Sequence, residues 1–320
     1  MSLYIFPLFK ISIDVVIVFK CLFVSLSYFT LICETIKSIL SENDFYKKTS
    51  FALGLRAITN YIFTFVYLVT LPFICVEKLG ALKKTSFLGF AGVLLLLSIG
   101  FYYACDSTEK IRKIQFFTKG NVFRNLNAFV FSFTCHQNIV DVQNENALLS
   151  VRSLICNIGA VYACTTLIYV CFGISNYYAF RDKNIDSTIF YTWTPGKIKT
   201  TALIIYVIFL CVTIPLHVNP IKMQVSEIFG FKNIWHKRFL GIFVSFIMFI
   251  LAILEIANYK FASKLVSQTF SAILVFVLPC CYYLFWKGEK RIVFYVMSAF
   301  CAICGMLCFI KTILDFTIWK

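Results

Sequence analysis

Phe129–Glu145 reads FVFSFTCHQNIVDVQNE. It opens as an apolar membrane segment and then gathers polar groups in its middle, at Ser132, Thr134, Cys135, His136, Gln137 and Asn138, with an acid following at Asp141. A helix facing lipid does not tolerate such a run, because unpaired polar groups in hydrocarbon are costly. Polar groups at membrane depth face a cavity, a partner or an ion path. Two readings of the stretch stand side by side. In one, a broken helix holds a small polar solute with Ser132, Thr134, Asn138 and freed backbone groups, and His136 titrates near neutral pH. In the other, Ser, Thr, Asn and His hydrogen-bond between helices, for about 0.6 kcal/mol each.

The rest of the chain supplies the membrane context. Of 320 residues, 60% are hydrophobic and 14% charged, and the mean hydropathy is +0.83. A soluble domain carries about 25% charged residues, so the composition implies an all-α polytopic membrane protein. A helical span takes about 20 apolar residues. On that criterion about nine spans are expected, over Ile11–Leu40, Phe51–Val76, Ser86–Cys105, Leu126–Val142, Leu148–Ile174, Thr200–Phe229, Phe239–Tyr259, Leu265–Trp286 and Ile292–Phe316. The longer connections, Asp106–Arg124 and Ser175–Lys197, are too short to fold alone, so residues 1–320 form a single transmembrane domain.

The net charge of +15 is spread over many loops. It does not form a basic patch interleaved with aromatics, which argues against nucleic acid and for anionic lipid as the partner. Most of the fourteen cysteines lie in apolar segments, where Cys behaves as a small hydrophobe. The CAIC run at Cys301–Cys304 is read the same way, and no metal or cofactor is expected. No soluble-enzyme motif occurs, and with only three histidines the chain is not expected to be an enzyme.

Proline marks a second place of interest. Pro215 and Pro220 bracket LHVN, and each frees a carbonyl in the preceding turn. Thr213, His217 and Asn219 stand beside them. Neutral oxygens in irregular backbone suit a cation; two packing kinks are the alternative. Among the acids in or near spans, Asp14 is expected at the interface, Glu34 solvated near the end of its span and Glu255 at an interface, while Lys311 and Asp315 have the spacing of a helix ion pair.

These segments together resemble a known family. FSFTCHQNIVDVQNE is similar to the sixth helix of the amino acid/auxin permease family, closest to its sodium-coupled neutral amino acid transporter branch, with Glu145 matching the closing acid. VTIPLHVNPIK (Val212–Lys222) resembles the eighth helix, with two prolines at the same spacing and a basic residue after the second. FVLPCCYYL (Phe276–Leu284) resembles the tenth, EKLGALKKTSFLG (Glu77–Gly89) the loop from fourth to fifth, and Ile13–Ile36 the third. The resemblance runs in order over nearly the whole chain.

It implies an inverted-repeat, LeuT-like transporter fold and secondary active transport of amino acids, neutral ones by the branch, coupled to sodium or protons by alternating access. It implies a multi-pass protein of the plasma membrane or of a vacuole- or lysosome-like membrane. Carried over by position, Ser132, Phe133, Thr134, Cys135, His136 and Asn138 become the substrate segment, and Thr213, with His217 and Asn219 beside it, the cation site. The first span aligns with the family's third helix, so the fold is expected to be incomplete, lacking the first two helices that share both sites. A degenerate relative acting as a membrane sensor or scaffold is the alternative function on that ground. Asp141 for a usual Pro and Ser267 for a usual Gly are further departures.

Overall fold

The structure is a computed structural model of the chain. It describes residues 7–42, 54–76, 80, 83–106, 129–134, 150–180, 188–254, 269–285 and 292–317. All of the regular structure among these residues is helical: α1 (Pro7–Glu42), α2 (Leu55–Ile74), α3 (Lys83–Asp106), α4 (Val151–Phe180), α5 (Lys197–Ile228), α6 (Ile234–Ile253), α7 (Leu278–Phe285) and α8 (Ile292–Thr317). A 3-10 turn, Ile189–Tyr191, precedes α5, and a π-helical stretch, Ile273–Val277, leads into α7. Six of the described helices are long and apolar enough to cross a membrane: Lys10–Glu42, Arg56–Ile74, Ser86–Asp106, Arg152–Phe180, Lys197–Ile228 and Ile234–Ile253. A shorter apolar stretch, Ser298–Leu307, lies in α8. Of the span expected over Leu126–Val142, only residues 129–134 are described.

α1 and α5 are the longest helices and form the central pair. They run antiparallel. Lys10 pairs with Glu227 at one end, and Lys199 with Glu42, 2.6 Å apart, at the other. α2 and α6 pack on the same side of α1. The buried residues of α2 explain how: Thr59, Phe63, Tyr67, Thr70 and Ile74 recur at helical spacing, while Tyr61, Phe65, Leu68 and Val69 point outward as a lipid-facing stripe would. The buried face joins Phe29 and Ile32 of α1, Leu210, Ile214 and Val218 of α5, and Met248, Phe249 and Ala252 of α6 in one core. Phe249 stacks on Tyr67 at 4.4 Å between ring centroids, with Phe63 at 5.1 Å.

The α5–α6 connection is built from local chemistry. Gly230 has φ +70°, and the Phe231 N–H reaches back to the Ser226 carbonyl at 2.8 Å. With the Gly230 N–H on Glu227 O, this is a Schellman ending, which takes glycine at its left-handed residue. Asn233 then caps α6 by accepting from the Trp235 N–H at 3.0 Å. The chain thus reverses within a few residues and lays α6 back against α5.

A second core lies at the other end of α5. It joins Leu96 and Tyr103 of α3, Phe180 of α4, Phe190 and Trp193 of the connection, and Ala202 and Leu203. The sequence places a polar loop over Ser175–Lys197. In the structure α4 runs on to Phe180 and the end of that connection folds inward. Trp193 is 1% exposed and donates from Nε1 to Asn176 Oδ1 at 2.9 Å. Burial of two large rings outweighs the polar composition of their neighbours.

Two of the acids in spans are partly or wholly covered. Asp14 is buried, 7% exposed, within electrostatic reach of Lys10 and of Glu227 on α5. Glu34 is half-buried, since α1 continues two turns beyond it to Glu42. Glu255 and the side chains of Lys311 and Asp315 lie outside the described residues.

Candidate functional site

The polar stretch is described up to Thr134; Cys135, His136 and Asn138 lie outside the described residues. Residues 129–132 are helical, and the helix gives way to a turn at Phe133. The Thr134 N–H bonds to Phe131 O at 3.0 Å, a tighter turn than the α-helix makes. Thr134 Oγ1 donates to Val130 O at 2.6 Å, so this hydroxyl proton is taken by its own helix. The Ser132 side chain is exposed.

α4 holds this turn. Tyr162 Oη donates to Phe133 O at 2.8 Å, and Tyr169 Oη donates to Ser132 O at 3.4 Å. The two tyrosines are two turns apart on one face of α4. They take consecutive carbonyls at the point where the helix of 129–132 stops providing donors. The Phe133 ring packs against both, 6.0 Å from Tyr162 and 5.5 Å from Tyr169. The sequence gives no sign of this pairing, because α4 reads only as an apolar span.

The proline pair is different from its expectation. α5 continues as a helix through Pro215 and Pro220, and the backbone there is regular rather than broken. Thr213 Oγ1 donates to Phe209 O at 2.7 Å, the back-bond typical of hydroxyls inside helices. His217 Nδ1 lies 3.2 Å from the Thr213 carbonyl, and its ring meets Tyr28 of α1 edge-on at 5.2 Å. Thr213 and His217 therefore share one face. Asn219, two residues on, is turned to another; it is 4% exposed, and its Oδ1 has no hydrogen-bond partner. A sodium ion takes several converging oxygens. Among the described residues of this turn, Asn219 Oδ1 is left without a hydrogen-bond partner, while the Thr213 carbonyl is engaged by His217.

Two lysines are among the most deeply buried polar groups: Lys20, which no motif singled out, and Lys222, the basic residue that closes the eighth-helix motif. Lys20 is 1% exposed in the α1–α5 seam, and its charge acts on His217. Lys222 is 3% exposed; its Nζ donates to Ile74 O at 2.7 Å and Val76 O at 2.6 Å. A lone lysine inside an apolar run was the available signal for Lys20. For Lys222 the partners are far off in sequence, so no local pattern marks them.

Comparisons with known proteins bear on this arrangement. The profile of a family described as transmembrane amino acid transporter protein matches residues 5–317. Vacuolar amino acid transporter 5 of Schizosaccharomyces pombe is 25% identical over 299 residues, covering 89% of this chain and 68% of that protein. Vacuolar amino acid transporter 6 of Saccharomyces cerevisiae is 24% identical over 231 residues, covering 69% and 50% respectively. Vacuolar amino acid transporter 5 of Saccharomyces cerevisiae is 22% identical over 249 residues, covering 72% and 53%. The chain thus spans about half the length of two of these three relatives. No solved structure matches the chain.

Proposed function

Since this chain belongs to the transmembrane amino acid transporter family, a family of transporters rather than enzymes, we propose that it moves amino acids across a membrane by secondary active transport. The family match over nearly the whole chain carries this reading. The substrates are neutral amino acids, by the resemblance of the 129–145 stretch, and the driving ion is sodium or a proton. The names of the similar yeast proteins support a vacuole-type membrane as the site of action. In this reading Ser132 to Thr134, with Cys135, His136 and Asn138, contact substrate, and α4 holds their backbone through Tyr162 and Tyr169. The helices around α1 and α5 complete an inverted-repeat scaffold that works by alternating access.

One observation favours a second reading, a relative that senses or scaffolds without transporting. The Thr213 hydroxyl, assigned to a cation, gives its proton to the Phe209 carbonyl within α5. Uptake separates the two. The chain is expressed in a transport-deficient host, and vesicles are loaded with labelled neutral amino acids. Uptake above background that falls on Ser132→Leu supports the transporter. Uptake indistinguishable from empty vesicles, with the chain present and folded, favours the sensor. Uptake unchanged by Ser132→Leu and Thr213→Val removes the site assignment and leaves the activity.

A further inference from the structure

The turn from α5 into α6 carries its charge among aromatic rings. Phe229–Gly241 reads FGFKNIWHKRFLG. It holds Lys232, Lys237 and Arg238 and no acid, and no acid follows through residue 254. The acid just before it, Glu227, is paired with Lys10. Over the whole chain the positive charge reads as scattered, but here the fold interleaves it with rings. Arg238 Cζ stands 5.2 Å from the centre of the Trp235 ring. His236 lies 5.6 Å from Phe231, which stacks on Phe229 at 5.8 Å.

The rings on α6 belong to a stripe. Trp235, Phe239, Phe243 and Phe246 are all exposed and recur at helical spacing, with Phe239 stacked on Phe243. On a span, such an outward stripe faces lipid. The α5 span ends at Ile228 and the α6 span begins at Ile234. Trp235, which is 70% exposed, therefore marks the edge of the hydrocarbon, the level at which tryptophan rings gather.

The cations stand at the same level. Lys232 is exposed in the turn itself, and Lys237 is half-buried near the start of α6, on the side of the helix away from Trp235. Among the described residues neither ammonium has a hydrogen-bond or ion-pair partner. A lysine stem lies along apolar surface and carries its charge out to the headgroups. The partner that fits must meet both parts of this surface. Nucleic acid or an acidic protein would use the cations and leave the stripe bare. A phospholipid with net negative charge meets the cations with its headgroup and the stripe with its acyl chains.

We propose that the α5–α6 turn is a docking surface for anionic phospholipid, with Trp235 seated at headgroup level, Lys232 and Lys237 meeting the negative charge on either side of it, and the acyl chains lying along Phe239 and Phe243. Arg238, against the indole, steadies the ring. This surface is local: the exposed Arg56 and Lys197, which open α2 and α5 at the other end of the bundle, take no part. The proposal needs the chain to lie in a membrane and does not depend on transport.

The test uses the purified full chain in a neutral detergent. Thermal unfolding is followed while short-chain phosphatidylserine, short-chain phosphatidylcholine or free phosphoserine is added. Phosphatidylserine should raise the wild-type midpoint by several degrees, as a ligand of the folded state does, and the other two should raise it far less. A cation near an anionic lipid surface is worth about fivefold in affinity. The double variant Lys232→Gln/Lys237→Gln should therefore need roughly 25-fold more phosphatidylserine for the same shift. Arg56→Gln/Lys197→Gln should respond as the wild type does. If the turn variant does not fold, Lys232→Gln alone decides, with an expected loss of about fivefold. Equal stabilisation by phosphatidylcholine overturns the proposal, as does equal stabilisation by free phosphoserine. So does a turn variant that responds as the wild type does, or an equal loss in Arg56→Gln/Lys197→Gln, which would assign the effect to charge spread over the whole protein.

Discussion

The ammonium of Lys222 donates a 2.7 Å hydrogen bond to the carbonyl oxygen of Ile74, the last residue of α2. It also reaches the Val76 carbonyl at 2.6 Å. The C-terminus of a helix leaves carbonyls without N–H partners and carries a partial negative charge. A cation there meets both needs. Lys222→Met should remove two charge-assisted bonds and leave buried acceptors bare, at a cost of about 2–3 kcal/mol. Thermal unfolding of the detergent-solubilised protein measures this. An unchanged midpoint would show that water serves those carbonyls equally well.

Gly241 of α6 makes room for that lysine. A Cβ at Gly241 would stand 2.6 Å from Lys222 Cδ and 3.4 Å from Ile74 Cγ2, so Gly241→Ala must push the lysine chain aside. A loss of about 1–3 kcal/mol is expected, as for other overpacked sites. Combined with Lys222→Met, the two losses should fall well short of their sum, because the second change removes what the first disturbs. Additive losses in a double-mutant cycle would separate the two residues.

Trp193 and Asn176 tie the α4–α5 connection to the end of α4. Asn176 also donates to Phe172 O at 2.9 Å, which fixes its Oδ1 toward the indole. Trp193→Phe keeps an aromatic ring and removes the donor, so about 1–2 kcal/mol should be lost from the stranded buried oxygen. Limited proteolysis should then cut the connection at 188–196 faster than in the wild type. Equal cutting rates would place the strength of this connection in ring packing alone.

If the turn at Ser132–Thr134 contacts substrate, as proposed, Tyr162→Phe should affect transport more than stability. Tyr162→Phe removes the 2.8 Å bond to Phe133 O and keeps the ring against Phe133. The expected stability loss is about 1 kcal/mol, while uptake should weaken more than that loss of folded protein explains. Uptake normalised to folded protein, compared with Tyr169→Phe, reads this directly. Tyr169→Phe should have the smaller effect, since its contact is 3.4 Å long.

Much of this arrangement was legible in the sequence. The helices α1 to α6 fall on expected spans, because a bilayer demands long apolar runs and such runs are visible without partners. The end of the helix at Phe133 agrees with polar residues gathering there. What escaped was set by distant contacts. Pro215 and Pro220 suggested broken backbone, yet α5 stays helical through both, packed along α1, and the Thr213 hydroxyl bonds back onto its own helix. The burial of Asp14 was not visible either, since it depends on packing near Glu227 of α5. Lys222 was visible only as the basic residue after the second proline; its partners, the Ile74 and Val76 carbonyls, come from far off in sequence.

The two ion pairs that close the ends of α1 and α5 have a mechanical consequence. A helix rises about 5.4 Å per turn, so sliding one helix past the other by a single turn would tear Lys10 from Glu227 and Glu42 from Lys199 together. The pair resists shear along its length as a ladder does when both end rungs are fixed. Rotation of either helix about its own axis, by contrast, would have to part the same two pairs without any change in length, so the contacts that mark the register also mark which faces of α1 and α5 meet.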